Sequence, residues 1–322
     1  MRLRTIGLIS TLALGLLALP LPADAQKPGR PYRIGVLHQA FAPNPPSVEG
    51  LQAGLKAMGF EEGHDVTFDI RFTKGNPDAT QAAATDLVKA GVDLIFTEAD
   101  GPARAAKSAT QTIPIVFVMG DPVAAGIVRK VAHPGGNITG VASRHTELVP
   151  KLLEILKTLV PTLRRVWLIY PADDPSSLAF ARKAQEAAPL LKLELVARPV
   201  RTAAEVGRIL ETLRPGDGLL PPPTKEFDIR GEIWYRAAQV PSIFQAAFWV
   251  RRGALISYGA DYYAQGVQAA RLVAKILRGA RPQDLPVEGA NKIELAVNLK
   301  TAKALGLTIP PSLLFRADKV IK

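Results

Sequence analysis

The sequence predicts an α/β fold with two doubly wound parallel-sheet lobes. Short apolar segments alternate with helical patterns of about 10–15 residues, which is typical of parallel sheets covered by helices on both faces. The alternation occurs in two series that divide near Gly140. The chain has 322 residues, of which 48% are apolar, so it is long for one domain and has enough apolar side chains for two cores.

The first series begins with an apolar run at residues 33–37, which indicates a buried strand. Helical spacing of apolar residues follows from Val48 and ends at Gly59. Residues 66–72 alternate between apolar and polar side chains, as expected of a strand that is half-buried on one face. The later elements are predicted as a helix at 78–90, a strand at 92–96, a helix at 102–110 and a strand at 113–118.

The second series begins with a helix at residues 147–160 and a strand at 165–170. Thr202 and Glu205 have the spacing of a capping box, which predicts that a helix begins there. The other elements are predicted as a helix at 176–188, strands at 193–200 and 218–220, a helix at 226–239 and a strand at 241–244.

The last part of the chain does not simply extend the second series. A strand at residues 253–258 precedes Asp261, which we expect to cap a long helix that ends at Gly279. A strand at 293–297 and two short helices then follow a segment rich in proline. Such a late change suggests that the chain crosses between the lobes again. The apolar face of the long helix is predicted as Tyr263, Val267, Ala270, Ala274 and Leu277.

The N-terminus has the order of a secretory signal peptide. A basic start at Arg2 and Arg4 precedes an uncharged run at residues 6–19, and Ala23-Asp24-Ala25 places small residues at the two positions that a signal peptidase recognises. A membrane anchor is the alternative, but the apolar run is shorter than the roughly 20 residues that a spanning helix needs. Residues 1–25 are therefore predicted to be a signal peptide cleaved after Ala25, and the mature protein is predicted to be periplasmic.

Composition excludes several classes of protein. The chain has no cysteine, so it forms no disulfide and cannot carry a lipid anchor built on a cysteine at the cleavage site. Its formal net charge is +11, but the basic residues are scattered, and no basic run is interleaved with aromatic residues. We therefore expect a solvated surface that anionic membrane headgroups could attract, and no nucleic-acid partner.

The common catalytic motifs of this fold class are absent from the sequence. It contains no G-x-x-x-x-G-K-[ST], G-x-G-x-x-G, G-x-S-x-G or H-E-x-x-H motif, and its four histidines lack metal-ligand spacing. We therefore expect no catalytic residue, no metal and no cofactor. An exported α/β enzyme remains the alternative, because catalytic groups can converge from distant positions.

Polar and aromatic residues follow the predicted strands in both halves, where ligands bind in parallel sheets. Asp121 and Asp174 each precede a proline and are expected mainly to cap helices. Glu98 and Asp100 are harder to explain as caps together, although they could instead pair with Arg104 or Lys107. The predicted ligand-binding residues are His38, Gln39, Phe41, Thr97, Glu98, Asp100, Gly120, Asp121, Arg144, His145, Tyr170, Asp173, Thr224, Gln245, Phe248 and Tyr258.

Several motifs resemble one known family. They are Gly120-Asp-Pro-Val123, His133-Pro-Gly-Gly-Asn137-Ile-Thr-Gly140, Gly253-Ala-Leu-Ile-Ser-Tyr-Gly259 and the string at residues 294–314. From about residue 32 to residue 322 the chain is similar to the ABC-transporter substrate-binding family that includes tryptophan-binding proteins.

The resemblance implies a type I periplasmic binding fold, with a three-stranded hinge at residues 138–143, 258–261 and 287–290. Its N-terminal lobe would comprise residues 32–140 and 261–288, and its C-terminal lobe residues 141–260 and 289–322. The helix from Asp261 would then pack on the first lobe, and the end of the chain on the second.

The function expected from this resemblance is that of a periplasmic solute-binding component of an ABC import system. A monomer would capture a small solute between its lobes and deliver it to an inner-membrane permease. Glu98 and Asp100 stand where the family has small residues, which favours a ligand with a positive group, and Phe41, Tyr170, Phe248 or Trp249 could add an aromatic wall. The ligand class is left as an amino acid, an aromatic compound or an amine. The alternatives are an exported enzyme, such as a hydrolase, with the same cleft, and a sensor that presents its closed form to a membrane receptor.

Overall fold

The computed structural model describes residues 29–40, 42–223, 233 and 239–322. Strands and helices alternate across these residues and the strands form two sheet systems, so the predicted α/β class is confirmed. The predicted signal peptide, Phe41, Thr224 and most of the predicted helix at 226–239 lie outside the described residues. In the part of the chain that is described, no helix has the length and apolarity needed to cross a membrane.

The first sheet has six strands in the spatial order β11-β5-β4-β3-β1-β2, all paired in parallel. Three helices alternate with its strands along the chain. The strands are β1 (Tyr32–His38), β2 (Val66–Phe72), β3 (Leu94–Glu98), β4 (Ile115–Met119), β5 (Ile138–Ala142) and β11 (Glu288–Gly289), and the helices are α1 (Pro46–Ala57), α2 (Pro77–Lys89) and α3 (Asp100–Ala109).

Strand β3 shows why the central strands are apolar on both faces. Leu94 and Phe96 belong to the core beneath α1, whereas Ile95 belongs to the core beneath α2 and α3. Since helices cover both faces, a continuous apolar run replaces the alternation expected of a half-exposed strand.

The second sheet contains the strands of the other half. A three-stranded part, in the order β7-β6-β8, and a four-stranded part, in the order β13-β12-β10-β9, meet where Leu219 N donates to Pro241 O at 2.8 Å. Its strands are β6 (Arg165–Pro171), β7 (Glu194–Val200), β8 (Gly218–Leu219), β9 (Ile243–Phe244), β10 (Ile256–Ala260), β12 (Ile293–Asn298) and β13 (Lys319–Ile321).

Helices lie on both faces of this sheet too. Those in the largest core are α4 (His145–Leu159), α5 (Pro175–Ala187), α9 (Leu299–Ala304) and α10 (Pro311–Arg316). On the other face lie α6 (Ala203–Leu210) and α7 (Ala247–Arg251).

Strand β12 departs from the parallel pattern, because it pairs with β10 in antiparallel orientation. The chain leaves β10 at Ala260, forms helix α8 (Tyr262–Leu277) on the first sheet, and returns to pair Ile293 with Ala260. Because the chain returns to the second sheet beside the last residue of β10, β12 must run in the direction opposite to β10.

Helix α8 packs on α1, as the resemblance implies, but its predicted apolar face is partly wrong. Tyr263 is 45% exposed and Val267 is 36% exposed. The two helices approach instead through glycines: a Cβ added to Gly266 would lie 2.0 Å from Ser47 O, and one added to Gly50 would lie 2.1 Å from Tyr263 O. The glycines set a closer helix contact than an apolar stripe predicts, and this rotates Tyr263 and Val267 outward.

The chain passes between the two sheets at three places along its described residues: after Ala142, between Ala260 and Tyr262, and between Gly289 and Ile293. Val141 and Ala142 still pair with β4, and Gly289 pairs with Ala142, so the strands of the first sheet extend slightly past residues 140 and 288.

Polar side chains of α8 and its cap join these three crossing segments. Gln265 Nε2 donates to Ser143 Oγ at 3.0 Å, and Gln268 Nε2 donates to Gly289 O at 3.0 Å. Lys292 Nζ lies 2.8 Å from Asp261 Oδ2. The start of α8 is therefore a common anchor for all three crossings.

Candidate functional site: the cleft between the two strand edges

Four loops lie side by side at the carboxyl edge of the first sheet. The register pairs His38 with Glu98, Glu98 with Val118, and Met119 with Ala142, which brings the ends of β1, β3, β4 and β5 to one level. This edge carries His38, Gln39, Thr97, Glu98, Asp100, Gly120, Asp121, Arg144 and His145.

The second sheet presents the ends of β6, β8 and β9 as neighbours. The predicted ligand residues at or near this edge are Tyr170, Asp173, Gln245, Phe248 and Tyr258. Ser176 Oγ, just beyond β6, donates to Asp100 Oδ2 of the first edge at 2.8 Å. The two edges therefore face each other across a narrow cleft.

His38 has a structural role at this edge. Its ring is fully buried, its Nδ1 accepts from Ala40 N at 3.2 Å, and its Nε2 lies 2.9 Å from Pro43 O. These partners assign the proton to Nε2, and they hold the chain that follows β1. Gln39 lies against the start of α3, where a Cβ on Gly101 would be 2.9 Å from its Nε2.

Glu98 is half-buried and accepts a hydrogen bond of 2.7 Å from the buried hydroxyl of Ser47 at the start of α1. Lys107, proposed as an alternative partner, instead donates from Nζ to Ile127 O at 2.6 Å. The hydroxyl orients the Glu98 carboxylate, but because Ser47 is neutral it does not itself compensate the negative charge.

Asp100 follows a strained residue. Ala99 has φ 94° and ψ 167°, a region that is almost restricted to glycine. Its N–H donates to Val118 O at 2.8 Å, and its carbonyl accepts from Ala103 N at 3.1 Å, so both sides of the turn are fixed. The turn starts α3 at Asp100 and directs that residue toward the second sheet.

Of the two expected helix caps, Asp174 is confirmed, whereas Asp121 caps only a turn, because no helix lies in the described residues between β4 and β5. Asp121 Oδ1 accepts from Val123 N at 3.1 Å and from Ala124 N at 3.0 Å. Asp174 Oδ2 accepts from Ser177 N at 3.1 Å at the start of α5. Part of the hydrogen-bonding capacity of both carboxylates is thus used locally.

The loop after β5 turns through Arg144, which has φ 57° and donates from Nε to Glu147 Oε2 at 2.7 Å. The backbone N–H of Arg144 donates a hydrogen bond of 3.1 Å to Gly120 O, which fixes the loop to the end of β4. His145 is buried against Gly120, where a Cβ would lie 3.2 Å from its Nδ1. Gly120 therefore makes room for the imidazole.

Several predicted ligand residues lie in the interior. Thr97 is fully buried, Tyr170 is 8% exposed within the largest core, and Tyr258 packs against that same core. Gln245 is buried and donates from Nε2 to Pro221 O at 2.8 Å, which ties the ends of β8 and β9 together. Tyr170 therefore does not form the open aromatic wall expected from the sequence.

Phe248 and Asp173 are the more accessible residues at the second edge. Phe248 is 42% exposed, with the Arg252 guanidinium 4.3 Å from its ring centre and Trp249 packed edge-on at 5.2 Å. The exposed Asp173 carboxylate lies 3.6 Å from Arg201 Nε.

Sequence reasoning missed Ser47 and Ser176, the hydroxyls that bind the two cleft carboxylates. Both directly follow a proline that opens a helix, at Pro46 and Pro175. That position was the available signal, because the first turn of a helix after a parallel strand lies at the ligand-binding edge.

The described part of the chain contains no group of three or more His, Cys, Asp or Glu side chains that could hold a metal ion. A surface cavity of about 540 Å³ lies away from the predicted ligand residues, beside the second and third crossings. It is lined by Asp261, Tyr263, Ala264, Val267, Gln268, Arg271, Asn291 and Lys292.

Two doubly wound sheets with facing carboxyl edges and shared crossings define a type I periplasmic binding fold. The chain belongs to the family described as ABC transporter substrate binding protein, whose model matches residues 45–321. This is a family of substrate-binding proteins, not of enzymes.

The relatives agree with this assignment. A tyrosine-binding protein of Clostridioides difficile strain R20291 is 29% identical over 264 residues, which are 80% of this chain and 76% of the relative. A conserved domain protein from Vibrio cholerae is 30% identical, with a TM-score of 0.79 over 90% of this chain and 100% of the other.

Two further structures are similar to this chain over 90% of its length. One is the ABC domain in complex with L-Trp from Streptococcus pneumonia, at 25% identity, a TM-score of 0.81 and 100% of that chain covered. The other is the ligand-free, open structure of a substrate-binding protein with adhesive properties from Clostridium difficile, at 26% identity, a TM-score of 0.70 and 99% covered. At nearly equal identity, the present arrangement is thus more similar to the ligand complex.

Proposed function

We propose that this protein is the periplasmic solute-binding component of an ABC import system, which captures a small solute between two lobes and delivers it to an inner-membrane permease. The observation that carries the proposal is the meeting of two strand edges in one cleft, with Ser176 Oγ 2.8 Å from Asp100 Oδ2. Membership of the substrate-binding family supports the same role. Binding requires no catalysis, because a ligand that contacts both edges shifts the open–closed equilibrium by its contacts alone.

The lobes of this proposal comprise residues 32–140 with 261–288 and residues 141–260 with 289–322. The three crossings, held together at the start of α8, would act as the hinge. A monomer is sufficient, since one chain supplies both edges. The signal peptide at residues 1–25 would place the protein in the periplasm, where a permease receives it.

The ligand class that we propose is an amino acid, or another aromatic or amine-bearing solute. Glu98 offers a carboxylate oriented by a neutral hydroxyl, and Phe248 offers an aromatic ring that is 42% exposed. A cation near Glu98 would offset the cost of enclosing that carboxylate as the cleft closes. Similarity to the tyrosine-binding protein and to the L-Trp complex supports the same class.

A thermal-shift screen of amino acids, aromatic compounds and amines against the chain from Gln26 tests the proposal. A ligand at 100 times its dissociation constant adds about 2.7 kcal/mol of stability, which should raise the melting temperature by several degrees. L-Tyrosine and L-tryptophan are the first probes, and Glu98→Gln should reduce the shift while Glu49→Gln, an exposed change on α1, should not.

The same samples separate binding from catalysis. Each stabilising solute is incubated with pure protein and recovered, and an unchanged solute supports a binding protein. Conversion to a product would instead establish the exported enzyme. A stabilising effect that Glu98→Gln leaves intact would remove the cationic part of the ligand assignment.

A further inference from the structure

We infer that Asp100 and Ser176 form a latch that holds the cleft partly closed before a ligand binds, and that Asp100 is a positioning residue rather than a ligand contact. The inference rests on the proposed clamp and assigns a closing contact to it. The Ser176 hydroxyl donates to Asp100 Oδ2 at 2.8 Å, and the two residues belong to elements that flank different sheets.

The local structure prepares both partners for this contact. Ala99 is 2% exposed, and its strained backbone is fixed to β4 and to α3, so Asp100 starts its helix in a defined direction. Ser176 is 6% exposed in the first turn of α5, and its N–H is held by Asp174 Oδ1 at 3.3 Å. The backbone of both residues is therefore fixed before the two edges meet, so closure has only two short side chains to order, which keeps the entropic cost of the contact low.

Electrostatics favours the pair as well. Asp100 lies in the first turn of α3, and Ser176 in the first turn of α5. The partial positive charge of a helix N-terminus stabilises a carboxylate, and here two such termini meet at one carboxylate. The contact brings the negative charge of Asp100 to a second helix dipole, which the open cleft would not provide.

The latch makes a quantitative link between closure and affinity. If only the closed form binds tightly, the apparent dissociation constant equals the intrinsic one divided by the closed fraction. A substitution that removes the latch should therefore raise the apparent dissociation constant by the same factor by which it lowers the closed fraction without ligand. A residue that contacts only the ligand would change the affinity and leave that fraction unchanged.

The experiment measures both quantities. The chain has no cysteine, so Gln81→Cys and Gln185→Cys, both exposed and on helices flanking different sheets, allow a pair of spin labels without background. Pulsed electron–electron double resonance measures the distance between the two labels in the ligand-free protein. The distance distribution gives the closed fraction in the parent, in Asp100→Ala, in Ser176→Ala and in the double variant. Asp78→Ala and Ser108→Ala are exposed controls of the same chemistry.

We expect Asp100→Ala and Ser176→Ala each to lower the ratio of closed to open protein by about 5–10-fold, as the loss of one hydrogen bond would. The double variant should lower it no further than Asp100→Ala, and the controls should match the parent. Calorimetry with L-tyrosine and L-tryptophan should show that the dissociation constant of any probe that binds rises by the factor by which the closed fraction falls. The distance measurement stands even if neither probe binds, so failure of the latch and failure of the proposed ligand class are distinguishable. An absent closed population in the ligand-free parent, or a loss of affinity in Asp100→Ala with unchanged distances, would overturn the inference.

Discussion

Asp217 shows how one carboxylate fixes an edge of the second sheet. It is 3% exposed and accepts hydrogen bonds from Arg165 Nε at 2.8 Å, from Trp167 Nε1 at 3.0 Å and from Arg214 N at 2.8 Å. Burial acts to raise the pKa of Asp217, but these hydrogen bonds outweigh it and hold the pKa below its ordinary value. The group therefore stabilises the fold in its ionised form.

The pH dependence follows from the sign of that shift. A carboxyl whose pKa is lower in the folded state contributes stability above its unfolded pKa of about 3.9, and the contribution is lost as the pH falls through the folded pKa. We expect Asp217→Asn to lower the free energy of unfolding at pH 7 by about 1.5–3 kcal/mol. The difference from the parent should shrink between pH 5 and pH 3.

Urea denaturation across this pH range measures the effect. Asp173→Asn is the matched control, because its side chain is 79% exposed and its ion pair at 3.6 Å should contribute little. A parent–variant difference that stays constant down to pH 3 would show that the Asp217 charge is not the stabilising feature.

At the scale of elements, the contact between α1 and α8 joins the first sheet to the start of the hinge. Gly50 and Gly266 let the two backbones meet, and α8 supplies Gln265 and Gln268 to the crossings. The hinge anchor therefore depends on a helix contact with no space for a side chain.

We predict that Gly266→Ala destabilises the protein by about 1–3 kcal/mol, because its Cβ would lie 2.0 Å from Ser47 O and the backbones must separate. Gly207→Ala is the matched control, since it lies within α6 and a Cβ there meets no atom within 4 Å. That control should instead stabilise the protein by about 0.5–1 kcal/mol. Equal effects of the two changes in chemical denaturation would contradict this account of the contact.

At the scale of the whole molecule, the proposed clamp predicts compaction on binding. The chain crosses between the sheets at Ser143, Asp261 and residues 290–292, and rotation about these segments would change the separation of the two edges. Small-angle scattering should show a smaller radius of gyration with a stabilising solute present than without it. A solute that gives no thermal shift is the control, and an unchanged radius with ligand bound would count against a clamp.

The sequence alone was sufficient to predict the α/β class. A strand of a parallel sheet that is buried on both faces must be a continuous apolar run, such as that of β3, and such a run can be recognised directly in the sequence. It also predicted that Asp174 caps a helix, since a cap depends on residues within the same turn. The same prediction for Asp121 was wrong, because that residue holds a turn and the segment described between β4 and β5 contains no helix. The family followed from a terminal motif that the matched model also covers.

Tertiary structure decided what each predicted cleft residue contacts. Tyr170 lies within the end of β6 and packs in the core, whereas Phe248 lies in α7, beyond the end of β9, and is at the surface. The exposure of Tyr263 and Val267 depends on glycines in a partner helix more than two hundred residues away in sequence. Ser176 reaches Asp100 only because two separately wound sheets face each other. The sequence around either residue cannot predict this contact, because it depends on how the two sheets are placed relative to each other.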